Sequence, residues 1–175
     1  MMSFTDSNLS IDFQDFLQRL QSLDLGPIAY KLIYSTEGTR LNKTEAAKAI
    51  NHYLMFLVLV YLYPNLHLVP SQEVDRVWHN HIADTVKYAQ DTQMLFGRFI
   101  HHFPYSGHCG KIDRRNQKLA FMETKRLLKK HFRLDICNQD ICQIAADCQP
   151  LGEPIDLVRP NTELELLAIN KLVHN

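Results

Sequence analysis

The sequence predicts an all-α protein, a single compact domain of about six or seven helices followed by an irregular C-terminal segment. Apolar residues recur at spacings of three and four in several segments, and residues with N-cap chemistry precede those segments. No alternating pattern longer than four residues indicates a strand. At 175 residues one domain is expected, which we place at residues 1–135, with residues 136–175 as an extension packed on it.

Two helices are predicted near the start of the chain. Residues 11–24 carry apolar side chains at helical spacing after Ser10, a residue suited to an N-cap. The pair Gly26-Pro27 interrupts this pattern. Residues 28–34 then form a short apolar piece, which predicts one or two further helical turns.

The next helix has the clearest local signals. Asn42 and Glu45 have the spacing of a capping box, and Pro64 ends the pattern. The second half of this helix is apolar on every side, which predicts burial all round. Its apolar run, Tyr53 to Tyr63, is much shorter than the roughly 20 residues that span a membrane.

Three more helices are predicted downstream. Ser71 can cap a long helix over residues 72–96, with Gly97 as its breaker. Residues 116–132 are amphipathic, and a capping-box pattern precedes a last helix over residues 163–173. The apolar set expected to face the core from residues 116–132 is Leu119, Ala120, Phe121, Met122, Leu127 and Leu128.

Charge and composition exclude several classes of protein. Lys plus Arg and Asp plus Glu number 19 each, which argues against nucleic-acid binding through bulk charge and against a polybasic membrane arm. The basic stretch 125–133 is expected to be a solvated helix face. Residues 1–10 lack the apolar core of a secretory signal, so we expect a cytoplasmic protein whose four cysteines are reduced.

Histidine is concentrated in one part of the chain. Five of the nine histidines lie between residues 79 and 108, interspersed with carboxylates. Imidazole and carboxylate are the usual protein ligands of zinc, iron, copper and manganese. The residues of this stretch with metal-binding or proton-transfer chemistry are Asp75, His79, His81, Asp84, Tyr88, Asp91, His101, His102 and His108.

Helix geometry limits which of these residues can share an ion. Asp75 and His79 are four apart and face the same way on a helix. His79 and His81 are two apart, about 200° around the axis, so either the helix is irregular here or only one of the two is a ligand. His81 shares its face with Asp84, Thr85 and Tyr88 instead, and these residues could hold its ring nitrogen. The pair His101-His102 reaches the same site only if the chain turns back, and Gly97 and Pro104 are the points that permit this.

We therefore predict a mononuclear metal site in a metal-dependent enzyme, an oxygenase or a hydrolase. The first-choice ligands are Asp75, His79, His81 and His102, with His101 as the substitute for His102. Asp84 and Tyr88 are expected to orient ligands or relay protons as catalytic residues. Two histidines and a carboxylate suit non-haem iron, and three histidines suit zinc or copper. We expect iron or zinc ahead of copper.

Two other interpretations remain open from the residues alone. The same stretch can form a non-catalytic module that recognises a protein or peptide through its histidines and five aromatic residues, Trp78, Tyr88, Phe99, Phe103 and Tyr105. Alternatively, the histidines can lie in the core as hydrogen-bonded structural residues. Burial separates these cases, because a metal site draws His79 and His102 together whereas a recognition patch spreads the histidines over an exposed face. The partner expected is a small molecule or a peptide, and neither nucleic acid nor membrane.

The histidine-rich stretch carries a distinctive set of residues: Val74-Asp75, Trp78-His79, His81-Ile82, Asp84-Thr85, Tyr88, Asp91, Phe96-Gly97, His101 to Tyr105 and Gly107. With these residues it resembles the bacterial members of the glycine-rich-domain-protein-like family, named for larger plant proteins. The resemblance implies an intracellular, mainly helical domain and singles out Asp75, Trp78, His79, His81, Tyr88 and His102, but it implies no common reaction. Many members have a cysteine where Thr92 stands here, and the plant glycine-rich tail is absent.

Overall fold

The computed structural model describes residues 5–34, 40–103, 110–134 and 149–151. The predicted all-α class is confirmed, since the described chain holds six helices and two strands of three residues each. The elements are α1 (Thr5–Gln21), α2 (Gly26–Tyr34), α3 (Lys43–Leu62), α4 (Gln72–Ala83), α5 (Thr85–Phe96), β1 (His101–Phe103), α6 (Gly110–Phe132) and β2 (Gln149–Leu151).

Helix α3 is the centre of the packing and contacts α2, α4 and α6. Its capping box is present as predicted. The Asn42 side-chain oxygen accepts from the Glu45 backbone amide at 2.9 Å, and the Asn42 backbone amide donates to the Glu45 carboxylate at 2.8 Å. The second half is buried on nearly all sides, as its apolar composition predicts, with Tyr53 and Leu59 fully buried. None of the described helices is both long enough and apolar enough to cross a membrane.

The predicted single helix over residues 72–96 is wrong, because the structure divides it at Asp84 into α4 and α5. Asp84 ends α4 with a non-helical backbone, and its side chain accepts from the Lys87 amide as the N-cap of α5. The apolar periodicity continues from α4 into α5, so the sequence pattern alone does not reveal the break at Asp84. The outer ends follow the sequence signals, since Ser71 caps α4 and Gly97 ends α5 in the left-handed conformation that favours glycine.

Helices α1 and α6 begin earlier than predicted, at Thr5 and Gly110, and α1 ends earlier, at Gln21. In α6 two of the expected core residues are exposed, Leu119 and Met122. Thr124 is buried on the core side instead, where its hydroxyl accepts from the Val69 amide at 3.1 Å and donates to the Ala120 carbonyl. The buried partner of Thr124 is thus a loop amide, which local periodicity does not show.

The described part of the predicted extension is β2, which pairs antiparallel with β1. His101 is opposite Leu151, His102 opposite Pro150, and Phe103 opposite Gln149. The predicted helix over residues 163–173 lies outside the described residues.

Candidate metal centre

One end of the helical core carries a cluster of two histidines and a carboxylate. Helix α4 supplies Asp75 and His79 from successive turns of one face, and strand β1 supplies His102. One potential ligand atom from each residue can be chosen so that all lie within 4.8 Å of one another. The structure thus brings together three of the four predicted ligands across 27 residues of sequence.

The Asp75 carboxylate lies between the two imidazoles. Its Oδ2 is 3.4 Å from Nε2 of His79, and its Oδ1 is 3.5 Å from Nε2 of His102. Both distances are long for a charge-assisted hydrogen bond, which is about 2.8 Å. Each is close to the spacing of about 3.4 Å between neighbouring ligands of a tetrahedral ion with bonds of about 2.1 Å, and the two contacts use different oxygens of Asp75.

The two rings stand edge to face, with centroids 4.4 Å apart and planes inclined at 86°. Their exposure differs: the side chain of His102 is 12% exposed and that of His79 is 53% exposed. The site is therefore walled by protein on the His102 side and open to solvent on the His79 side.

Trp78 forms part of the wall and fixes the strand that carries His102. Its indole packs edge-on against the His102 ring, with centroids 4.8 Å apart. Its Nε1–H donates to the Tyr88 hydroxyl at 2.9 Å, and that hydroxyl donates to the Ile100 carbonyl, two residues before His102. Burial raises the pKa of the Tyr88 phenol, which keeps this hydroxyl protonated and able to donate.

Tyr88, predicted to orient ligands or relay protons, has its hydroxyl between the Trp78 indole and the Ile100 carbonyl within the core. Its catalytic role stays a prediction. Asp84, the other predicted catalytic residue, caps α5 at the helix junction. His101, the substitute ligand, is exposed on the strand, with its ring 4.7 Å from that of Phe99. Cys109, Cys137, Cys142 and Cys148 lie outside the described residues.

His81, the fourth predicted ligand, belongs to a separate buried network. Its side chain is 1% exposed. Its Nδ1 lies 2.9 Å from the Tyr53 hydroxyl and its Nε2 lies 2.8 Å from Oδ2 of Asp91. The same Asp91 oxygen pairs with Lys87 Nζ at 2.9 Å. Both ring nitrogens of His81 thus have protein partners, so the structure does not bring this residue to the cluster.

Sequence reasoning missed this role of Asp91 because it sought partners for His81 one turn away. Asp91 is ten residues along the chain, on the helix after the break at Asp84. The nearest sequence signal was the i, i+4 spacing of Lys87 and Asp91, which places a cation and a carboxylate on one face of a helix.

Comparison with known proteins identifies no relative, since no protein-family model, no curated protein and no solved structure matches the chain. The resemblance to the glycine-rich-domain-protein-like family stays a prediction.

Proposed function

We propose that this protein binds one divalent transition-metal ion, iron or zinc, through Asp75, His79 and His102. The observation that supports this is the convergence of two imidazoles and one carboxylate, from α4 and β1, to within 4.8 Å. Two histidines and a carboxylate form the ligand set of both non-haem iron(II) oxygenases and several zinc hydrolases.

We further propose that the protein is a cytoplasmic metal-dependent enzyme acting on a small molecule or a peptide. Closed structural zinc sites have four protein ligands, whereas the group found among the described residues has three. The half-exposed His79 leaves one side of the cluster open to an incoming molecule. When bound, such an ion would supply Lewis-acid or redox chemistry to a coordinated water or dioxygen.

The chain's own residues would hold this site in shape. Asp75 would offset the charge of the ion and orient both rings. Trp78 would exclude water from the buried edge of His102, with which it is in ring contact. The recognition-module alternative is not favoured, because Trp78 and Tyr88, two of the aromatic residues that it needs on the surface, are each 1% exposed.

Metal analysis of the untagged protein tests the binding proposal. After reconstitution with iron(II) or zinc, we expect close to one ion per chain in the wild type and in His101→Ala. Loss of the ion is expected in His79→Ala and in His102→Ala. His101→Ala is the matched control, since successive residues of a strand point to opposite faces. A wild type that holds no ion after reconstitution would overturn the proposal.

A second measurement separates an enzyme site from a structural one. Cobalt(II) in the site should change its visible absorption when azide is added, because azide can occupy an open coordination position. A tightly bound cobalt ion whose spectrum ignores azide would contradict the enzyme proposal and leave metal binding intact.

A further inference from the structure

The outward side of α6 carries an apolar stripe that the helical core does not cover. Ile112 is 78% exposed, Leu119 is 54% exposed and Met122 is 65% exposed. At 100° per residue these three side chains lie on the side opposite Phe121 and Leu128, which the core buries. Single exposed apolar residues are ordinary, but three aligned on one helix indicate a contact surface.

Positive charge surrounds this stripe. Helix α6 contains eight Lys and Arg residues and two acidic residues. Arg115 and Arg126 lie along the same side as the stripe, and Lys118 flanks it. Arg126 is already paired with Glu123 at 2.6 Å. A covering segment should therefore combine apolar side chains with carboxylates.

Residues 152–175 have this composition. They include ten Ala, Val, Ile or Leu residues and four acidic residues against two basic ones. Two of the carboxylates, Glu163 and Glu165, alternate with leucines at the start of the most apolar part.

The chain connections place this segment within reach of α6. It follows β2, whose Leu151 is opposite His101 of β1, and β1 leads into α6 through residues 104–109. Twenty-four residues can extend to roughly 80 Å, more than twice the length of α6 at about 35 Å.

We propose that residues 152–175 dock on the outward stripe of α6 in the same chain. Their apolar residues would cover Ile112, Leu119 and Met122, and their carboxylates would lie beside Arg115 and Lys118. This surface is distinct from the metal cluster, and the proposal is independent of metal binding.

Limited proteolysis with a glutamate-specific protease tests the docking. Cleavage after Glu163 and Glu165 should be slow in the wild type. It should be about tenfold faster in the double variant Leu119→Gln with Met122→Gln, because cleavage follows the population of the undocked segment. The matched control is Tyr34→Gln, an exposed apolar residue of α2, which should cleave like the wild type. Equal rates in the double variant, with its helical circular dichroism intact, would overturn the proposal.

A photo-crosslinker at position 118 identifies the occupant without altering the apolar stripe. We expect crosslinks within one chain to peptides from residues 152–175. Crosslinks to a second copy, or to none of these peptides, would overturn docking within the chain.

Discussion

Two histidines only two residues apart, His79 and His81, have opposite environments. His79 is half exposed beside Asp75, and His81 is buried between Tyr53 and Asp91. Because Nε2 of His81 lies against a carboxylate, a neutral His81 places its proton on Nε2 and accepts the Tyr53 proton at Nδ1. His81 therefore contributes to the stability of the fold, whereas His79 lies beside Asp75 at the solvent-exposed side of the candidate site.

The first prediction concerns Asp91, which lies against both His81 and Lys87. Asp91→Ala leaves these two buried groups without their carboxylate partner, so we expect a loss of about 3 kcal/mol in the free energy of unfolding. Urea denaturation measures it. The control is Asp15→Ala, which breaks the exposed pair with Arg19 and should cost less than about 1 kcal/mol.

The metal content of the Asp91→Ala variant, measured under folding conditions, separates the two sites. We expect it to match the wild type, since Asp91 lies outside the cluster of Asp75, His79 and His102. Equal stability of both aspartate variants would contradict the structural role assigned to the His81 network.

A second residue-scale prediction concerns pH. Burial raises the pKa of the Tyr53 phenol well above its ordinary value and raises that of Tyr88 as well. The unfolded chain releases these protons at about pH 10, whereas the folded protein retains them. The stabilisation is therefore complete below about pH 10 and is lost as the pH rises toward the folded pKa values.

Spectrophotometric titration of tyrosinate, followed together with circular dichroism, checks this expectation. Two of the seven tyrosines should ionise only as the helices unfold. Tyr88→Phe should reduce the loss of stability with rising pH. Ionisation of all tyrosines while the helices persist would contradict the prediction.

At the scale of elements, most short-range signals predict the structure correctly, the Asp84 cap being the exception, whereas contacts between residues distant in sequence are not visible in local patterns. The capping box of Asn42 and Glu45, the cap at Ser71 and the stop at Gly97 depend on neighbours within a few residues. Asp75 and His79 are likewise fixed by helical spacing. The pairing of Thr124 with the Val69 amide spans 55 residues, and no local pattern contains it.

The candidate site shows the same division. From the sequence, either His101 or His102 can meet Asp75. Which of the two does so depends on which face of a short strand turns toward α4. That choice is made by tertiary contacts, among them the packing of Trp78 against His102 and the bond from Tyr88 to the Ile100 carbonyl.

The element-scale prediction tests this connection. Tyr88→Phe removes the hydroxyl that joins α4 and α5 to the residue before β1, so His102 should be held less firmly. We expect the dissociation constant of the bound ion to rise about tenfold, as is typical when groups behind a metal ligand are removed. Chelator competition measures it.

The matched control is Tyr63→Phe, which removes a phenol that contacts His131 on a different part of the surface. It should leave the dissociation constant unchanged. If Tyr88→Phe lowers stability and leaves metal affinity unaltered, Tyr88 is a core residue with no positioning role.

At the scale of the whole molecule, strand β2 links the end of the described chain to the candidate site. It pairs with the strand that carries the candidate ligand His102, and it lies almost 50 residues further along the chain. Ion binding and strand pairing should therefore be thermodynamically coupled, each strengthening the other by the same factor.

Two truncations isolate this coupling. A chain ending at Leu151 keeps β2, and a chain ending at Cys148 lacks it. Because both lack residues 152–175, the difference between their zinc affinities reports the contribution of the strand alone. We expect the shorter chain to bind zinc about tenfold more weakly, because β1 loses its hydrogen-bonded partner while His102 keeps its contact with Trp78. In the longer chain, zinc should slow amide exchange of residues 149–151 by a similar factor. Equal zinc affinity in the two truncations would show that α4 and the core position His102 without the strand.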